Sequence, residues 1–230
     1  MACQTRVSEA VIRRLPVYYR HLQELEQMGV ERISSRELGD KMHYTASQIR
    51  QDINCFGGFG QQGYGYHVPS LRRHMASILG LEKTYSAVLI GAGNIGRAVS
   101  NYKGFEQDGI LIRAVFDKDP DLVGLNCGPF IIKPYDELDE YLEQNPMDIG
   151  IIAVPAEAAQ SVADRIIECG ISAIWNFAPV DIQHPDSVVS THVHLTDSLH
   201  ILTYLMNEEA LFNEIDARAK VAQIDAESEE

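Results

Sequence analysis

Between residues 11 and 28 the apolar positions Val11, Leu15, Tyr18, Tyr19, Leu22, Leu25 and Met28 recur at helical intervals, and Gly29 ends the run. That spacing predicts an amphipathic helix. Pro16 interrupts it, so the helix is expected either to open there or to kink. Next, Ser34-Ser35-Arg36-Glu37 has the form of a capping box, and Thr45-Ala46-Ser47-Gln48 repeats it eleven residues later. Helices over Ser35–Met42 and Ala46–Cys55, about a turn apart, read as a helix-turn-helix. Phe56 to Tyr66 alternates glycines with aromatics, which predicts a tight β-hairpin, a wing beside the second helix. Arg72–Thr84 reads as a linker, partly helical.

From Tyr85 the pattern changes to strand, helix, strand. Strands are expected at Ala87–Ile90, Ile110–Phe116, Phe130–Ile132, Ile149–Val154, Ala173–Phe177 and Val188–Leu195. Helices are expected at Asn94–Lys103, Tyr135–Gln144 and Ala156–Cys169. This alternation predicts an α/β fold with a mostly parallel, doubly wound Rossmann-like sheet. A last helix, Thr196–Met206, carries Leu199, Leu202, Leu205 and Met206 on one face. The expected organisation is a winged-helix domain over 1–80, a Rossmann domain with its C-terminal helix over 81–206, and an acidic extension over 207–230.

Composition narrows the class. The chain is 45% hydrophobic, enough for a buried core. Its apolar runs fall short of the ~20 residues of a membrane span, and Met1 to Arg6 lack the apolar core of a secretory signal. A soluble cytoplasmic protein without a membrane partner is expected. Cys3, Cys55, Cys127 and Cys169 are dispersed, with no C-x-x-C pair. They are expected to be free thiols, and neither a disulfide framework nor a metal site is anticipated. The net charge of −14 divides unevenly: residues 1–80 hold ten bases and seven acids, the remainder nine bases and 26 acids. A weakly basic front can approach a polyanion that the acidic body would repel.

Gly91-Ala92-Gly93-Asn94-Ile95-Gly96 has the G-x-G-x-x-G form, between a predicted strand and a predicted helix. In that setting the run is a dinucleotide signature. Gly91 permits a tight turn, Gly93 lets backbone approach a pyrophosphate, and Gly96 lets helix and strand pack closely. The free N–H groups at the helix start favour the phosphates. Asp117, 21 residues beyond Gly96, ends the second strand. A carboxylate there can bind ribose hydroxyls and repels a 2′-phosphate, which favours NAD(H) over NADP(H). Lys118 beside it weakens that preference.

In the front module Arg50 lies mid-way along the second capped helix, with Tyr44, Ser47, Gln48 and Gln51 near its N-terminal part. Arg reads guanine and Gln reads adenine in the major groove. Arg13, Arg14 and Arg20 are placed to neutralise phosphates. Tyr18, Ser34, Ser35, Thr45, Gln62 and Tyr66 complete the candidate DNA-contacting set. An ordinary solvated helix face would show the same pattern.

Several runs together carry a family resemblance: Arg14-Leu15-Pro16-Val17-Tyr18-Tyr19-Arg20, Ile33 to Gly39, Ser47 to Asp52, Phe56-Gly57-Gly58-Phe59-Gly60, Gly63-Tyr64-Gly65-Tyr66, Val154-Pro155-Ala156-Glu157 and Asn176-Phe177-Ala178-Pro179. With the glycine motif they resemble the Rex family of redox-sensing transcriptional repressors over residues 11–206. The resemblance implies a homodimer, each subunit a winged helix plus a Rossmann domain, with the C-terminal helix swapped onto the partner. It implies binding to a palindromic operator when NADH is scarce and release when NADH rises. On this reading the chain is not an enzyme, and Tyr102, Val154, Pro155 and Phe177 are apolar walls near the nicotinamide. An NAD-dependent oxidoreductase, or a nucleotide- or CoA-binding module without DNA activity, are the rival readings.

Three departures from the family pattern matter. Gln51 stands where the family usually has Lys, and Gln61 and Gln62 of the wing stand where it has basic residues. His194 replaces an Asp near the cofactor. A histidine supplies no fixed negative charge for a cationic nicotinamide, so sharper selectivity for NADH is expected. Lost wing charge weakens phosphate and minor-groove contacts. Gln62→Arg is therefore expected to tighten operator binding and steepen its salt dependence in a gel-shift titration, whereas an unchanged affinity would contradict the wing argument.

Overall fold

The structure, a computed structural model, describes residues 7–59 and 64–208. It divides into two compact units, Met1–Thr84 and Tyr85–Glu230.

The described residues of the first unit form four helices: α1 (Glu9–Gln27), α2 (Ser35–Met42), α3 (Ala46–Asn54) and α4 (Val68–Ile78). Leu15, Tyr18, Leu22 and Leu25 of α1 form one buried face, as their spacing requires. It packs against Leu71 and Met75 of α4, with Leu38, Ile49 and Ile53 from α2 and α3 in the same core. Pro16 neither opens nor ends α1; it lies inside the helix. Its ring removes the hydrogen bond to the carbonyl of Ile12, a residue on the exposed side of the helix, where solvent is within reach. Both predicted caps form. Ser34 Oγ accepts from Glu37 N–H while Glu37 accepts from Ser34 N–H, and Thr45 Oγ1 accepts from Gln48 N–H. Between α2 and α3, His43 adopts the left-handed conformation at φ 58°, and Gly39 faces the Tyr44 carbonyl where a Cβ would collide.

Two expectations for this unit are corrected. The segment from Arg72 is no linker: through Ile78 it belongs to α4, because Leu71, Met75 and Ala76 complete the core. Tyr66, moreover, does not pair within a local hairpin. Strand β2 (Tyr66–His67) pairs antiparallel with β1 (Arg32–Ile33), and Gly65, at φ 67°, sits too close to the Ile33 carbonyl for a side chain. The wing tip with Gln61 and Gln62 lies outside the described residues.

In the second unit β3 (Tyr85–Ile90), β4 (Ile110–Asp117), β6 (Phe130–Pro134), β7 (Ile149–Ile152), β8 (Ala173–Asn176) and β9 (Val189–His192) are joined in the order β6-β4-β3-β7-β8-β9. All five pairings are parallel. This is the strand order of dinucleotide-binding folds. A short β5 (Asn126–Cys127) adds antiparallel to β6. Both faces of the sheet are covered, which explains why its strands read as continuous apolar runs. Val88, Ile90 and Phe116 pack on one face under α7 (Leu138–Gln144) and α8 (Ala156–Glu168). Leu89, Val115 and Ile151 pack on the other with Val99 of α5 (Asn94–Asn101). A separate α6 (Gly104–Gln107) follows, and a helix over 195–208 ends the described chain.

A partly buried ion pair ties α1 to α3. Arg14 Nε and Nη2 donate to the two oxygens of Asp52 at 2.7 and 2.9 Å, and the Tyr18 hydroxyl donates at 2.7 Å. Asp52 lies on α3 and is 4% exposed. Burial pushes its carboxyl up, but the bonds from Arg14 and Tyr18 and the Arg14 charge outweigh that and hold it below the usual range. Asp52→Ala is expected to cost about 3 kcal/mol, because it strands a largely buried guanidinium. The folded-state carboxyl is the stronger acid, so its stabilisation is complete above about pH 4 and is lost as pH falls through the lower folded value. In calorimetry the stability difference between wild type and Asp52→Asn should shrink below that pH; a constant difference would refute the linkage.

Candidate cofactor site and nucleic-acid interface

The glycine loop emerges from the C-terminal end of β3, at the crevice between β3 and β7 where the direction of strand addition reverses. Crevices of this kind bind ligands in open α/β sheets. Gly91 has φ 99°, and a Cβ there would strike the Ala153 carbonyl. A Cβ on Gly96 would overlap the Gly91 carbonyl, whereas one on Gly93 would meet nothing within 4 Å. The first and third glycines thus serve packing, and the second leaves open space for a ligand. Gly93 and Asn94 are exposed at the start of α5, where the first N–H groups have no intrahelical partner.

Asp117 closes the loop from the neighbouring strand. Its Oδ2 accepts from Ala92 N–H at 2.6 Å and its Oδ1 from Asp119 N–H at 2.9 Å. A carboxylate has about four acceptor sites, so capacity for two ribose hydroxyls is left. Arg97 donates to the Ala92 carbonyl at 3.0 Å and secures the loop from the helix side.

A cavity of about 380 Å³ opens over this loop, walled by Gly91, Gly93, Asp117, Lys118, Val154 and Pro155. Leu122, Tyr135 and Ser161 also reach it and were not anticipated. Their signal was positional: Tyr135 follows the end of β6, and strand C-termini form the ligand-binding edge of such sheets. Tyr135 is held by Arg165, whose guanidinium lies 4.4 Å from its ring centre. Tyr102, Phe177 and His194 do not line the cavity. Tyr102 is exposed and meets Phe105 edge-on, Phe177 packs on Trp175, and His194 Nε2 faces Asp181 at 3.5 Å. Ile95 packs inward against the sheet.

On the first unit α3 presents Ser47, Arg50 and Gln51 to solvent, with Gln48 half-buried. Arg50 Nη1 donates to Ser35 Oγ at 3.0 Å, which aims the guanidinium along the helix-turn-helix surface. Arg13 is exposed and pairs with Glu9. Three sequence assignments to this surface are corrected. Tyr18 is fully buried, and Tyr66 is 5% exposed. Arg14 has its guanidinium engaged by Asp52, so it organises the fold instead of presenting a free charge. Tyr44 is half-buried against the same core, tilted on Tyr18. Arg32 was missed; it donates to the Tyr64 carbonyl and lies over the Tyr64 ring at the base of the wing.

A helix-turn-helix unit and a dinucleotide fold in one chain define the class of transcription regulators that carry a nucleotide-binding domain. Comparison with known proteins agrees. Residues 6–54 match the family model described as "Putative DNA-binding protein N-terminus", and residues 82–180 the one described as "CoA binding domain". The chain is similar to the redox-sensing transcriptional repressor Rex of Thermoanaerobacter pseudethanolicus, at 49% identity over 98% of this chain and 100% of that protein. It is also similar to RSP, a Rex-family repressor, solved with β-NAD+ and operator DNA: 50% identity, TM-score 0.83, 93% of this chain and 98% of that one. RSP solved with β-NADH matches at 48% identity and TM-score 0.84, over 92% and 99%. The chain belongs to the Rex family of redox-sensing transcriptional repressors.

The glycine geometry makes its own prediction. Gly96→Ala should destabilise the second unit by about 2–3 kcal/mol through overpacking, and Gly93→Ala should stay within about 0.5 kcal/mol of wild type. Denaturant unfolding distinguishes them, and equal losses would contradict the division of roles.

Proposed function

We propose that this protein is a DNA-binding transcriptional repressor that senses the NADH/NAD+ ratio, occupying operator DNA when NADH is low and leaving it when NADH rises. The observation that carries this reading is the pairing, in one chain, of an exposed recognition helix with a dinucleotide cavity at a sheet switch point. Dinucleotide enters with its pyrophosphate on the Gly93–Asn94 amides and its adenosine ribose on Asp117. The negative charge of Asp117 opposes a 2′-phosphate, so NAD(H) is taken over NADP(H). Val154 and Pro155 form the apolar wall toward the nicotinamide. On the DNA side Arg50 and Gln48 read base edges, while Arg13, Ser47 and Gln51 serve the backbone.

Two further features belong to the proposal. The helix over 195–208 exposes Leu195, Leu199, Ile201, Leu202, Tyr204 and Met206, each more than half accessible. An apolar helix of this kind is covered by a partner, and a second copy of the chain gives a homodimer matched to a palindromic operator. The cellular setting is that of the operator, the cytoplasm. Among the described residues no helix is long and apolar enough to cross a membrane.

The switch is a linkage. NADH displaces DNA only because it favours the arrangement that binds operator poorly, and NAD+ discriminates less between the two. In a gel shift on a palindromic operator, saturating NADH should weaken binding by roughly 5–150-fold, the range of ordinary allosteric coupling. NAD+ should leave it largely intact. Gly93→Ala should keep operator affinity and move the NADH midpoint upward. Operator affinity indifferent to NADH would overturn the reading.

A further inference from the structure

Outside the dinucleotide cavity, the described residues contain one compact set of metal-ligating side chains: Asp181, His192 and His194. Their ligand atoms all lie within 4.8 Å of one another. His194 Nε2 is 3.5 Å and His192 Nδ1 is 3.9 Å from the same Asp181 oxygen. The edge of a tetrahedron of nitrogen and oxygen ligands around zinc is about 3.4 Å. The two carboxylate-to-imidazole distances lie within about half an ångström of that edge, and the imidazole nitrogens lie within 4.8 Å of each other.

The surroundings fix the histidine chemistry. Ala178 N–H donates to Asn176 Oδ1 at 2.9 Å, and Asn176 Nδ2 donates to the Val180 carbonyl at 2.7 Å. These two bonds settle which way the buried amide points. Its Nδ2 also approaches His192 Nδ1 at 3.1 Å, and an amide nitrogen can only donate, so Nδ1 carries the lone pair. The proton therefore sits on Nε2, which donates to Ser190 Oγ at 3.2 Å. Ser190 in turn donates to His184 Nε2 at 2.8 Å, and His184 Nδ1–H donates to the Pro185 carbonyl at 3.0 Å. His192 thus has Nε2 tied to a hydrogen-bond acceptor and carries on Nδ1, 3.9 Å from the Asp181 carboxylate, a lone pair that a cation can take in exchange for the Asn176 N–H. If the cation takes Nδ1, Asn176 retains the carbonyls of Val180 and Ala178.

We infer that Asp181, His192 and His194 form a divalent-cation site, taking zinc through two imidazoles and one carboxylate with a water in the fourth position. Imidazole and carboxylate together suit a borderline cation better than calcium or magnesium, which prefer oxygen. The position gives it a consequence. Asp181 lies in the loop after β8, and the two histidines lie at the end of β9, immediately before the helix over 195–208. A bound cation would clamp that loop to the base of the C-terminal helix. None of this rests on the dinucleotide reading.

The test uses the full chain without an affinity tag, stripped with a chelator and titrated with Co2+ and then Zn2+. Co2+ should give the visible absorption of a tetrahedral site at one equivalent per chain, and Zn2+ should abolish it. Calorimetry should show Zn2+ affinity falling at least tenfold in Asp181→Asn and in His194→Ala. Ser190→Ala should lose about 10–100-fold, the usual loss when the group behind a ligand is removed. His200→Ala, on the exposed helix, should bind as wild type does. Circular dichroism of the cation-free variants shows whether each is folded, and Asp181→Asn, at an exposed loop position, tests the site even where a histidine variant fails to fold. Absence of the Co2+ bands, or Zn2+ affinity unchanged in Asp181→Asn, would overturn the site.

Discussion

The bond from Ala92 N–H to Asp117 ties the loop after β3 to the end of its neighbour β4, at the C-terminal edge of the sheet where ligands bind in such folds. It fixes the turn after β3 from the end of β4, while Gly91 and Gly96 press the same turn against Ala153 and α5. With the loop held from three sides, its outward amides are set before any ligand arrives. Preorganised donors lose little freedom on binding, which is how a small cavity holds a polyanionic ligand tightly. Asp117 thus shapes the loop and, in the proposed binding mode, also meets the ribose. Its substitution would disturb both together, so the glycines separate packing from binding more cleanly than the acid does.

The first unit depends on a comparable device. Arg14 and Tyr18 on α1 converge on Asp52 of α3, so the second helix of the helix-turn-helix is positioned by a largely buried charge cluster as well as by its apolar face. Buried ion pairs of this type add little net stability over well-packed apolar side chains, but breaking one partner is costly. Their value here is orientation. Arg50, on the exposed side of the same helix, is steadied by Ser35 from α2, so this side chain and its scaffold are ordered from opposite faces.

Much of this was legible in the residues, and the misses share a cause. The glycine motif, Asp117 and both capped helices are local signals, and the structure places them within a residue or two of the expected bounds. Tyr18, Tyr66 and Arg14 misled because an aromatic or a base near a recognition helix looks like a contact. Each is instead satisfied by a partner 33 to 38 positions away, Ile33 across the β1–β2 ladder or Asp52 on α3. The linker reading failed for the same reason, since α4 becomes a core helix only when α1 is there to receive Leu71 and Met75. The Asp181, His192 and His194 set has no local spacing to reveal it; parallel pairing of β8 with β9 brings the loop after one strand beside the end of the other. What lies far apart in the chain and meets through strand pairing is the part that pattern alone does not disclose.

A cofactor that acts as a signal must be bound differently by the DNA-competent and DNA-free states, and thermodynamics makes that difference reciprocal. The redox switch therefore rests on one coupling factor obtained two ways. Calorimetric titration of NADH into the free protein and into the protein saturated with operator measures it directly. Operator should lower NADH affinity by the same factor by which NADH lowers operator affinity. Equal NADH affinity with and without operator would contradict it.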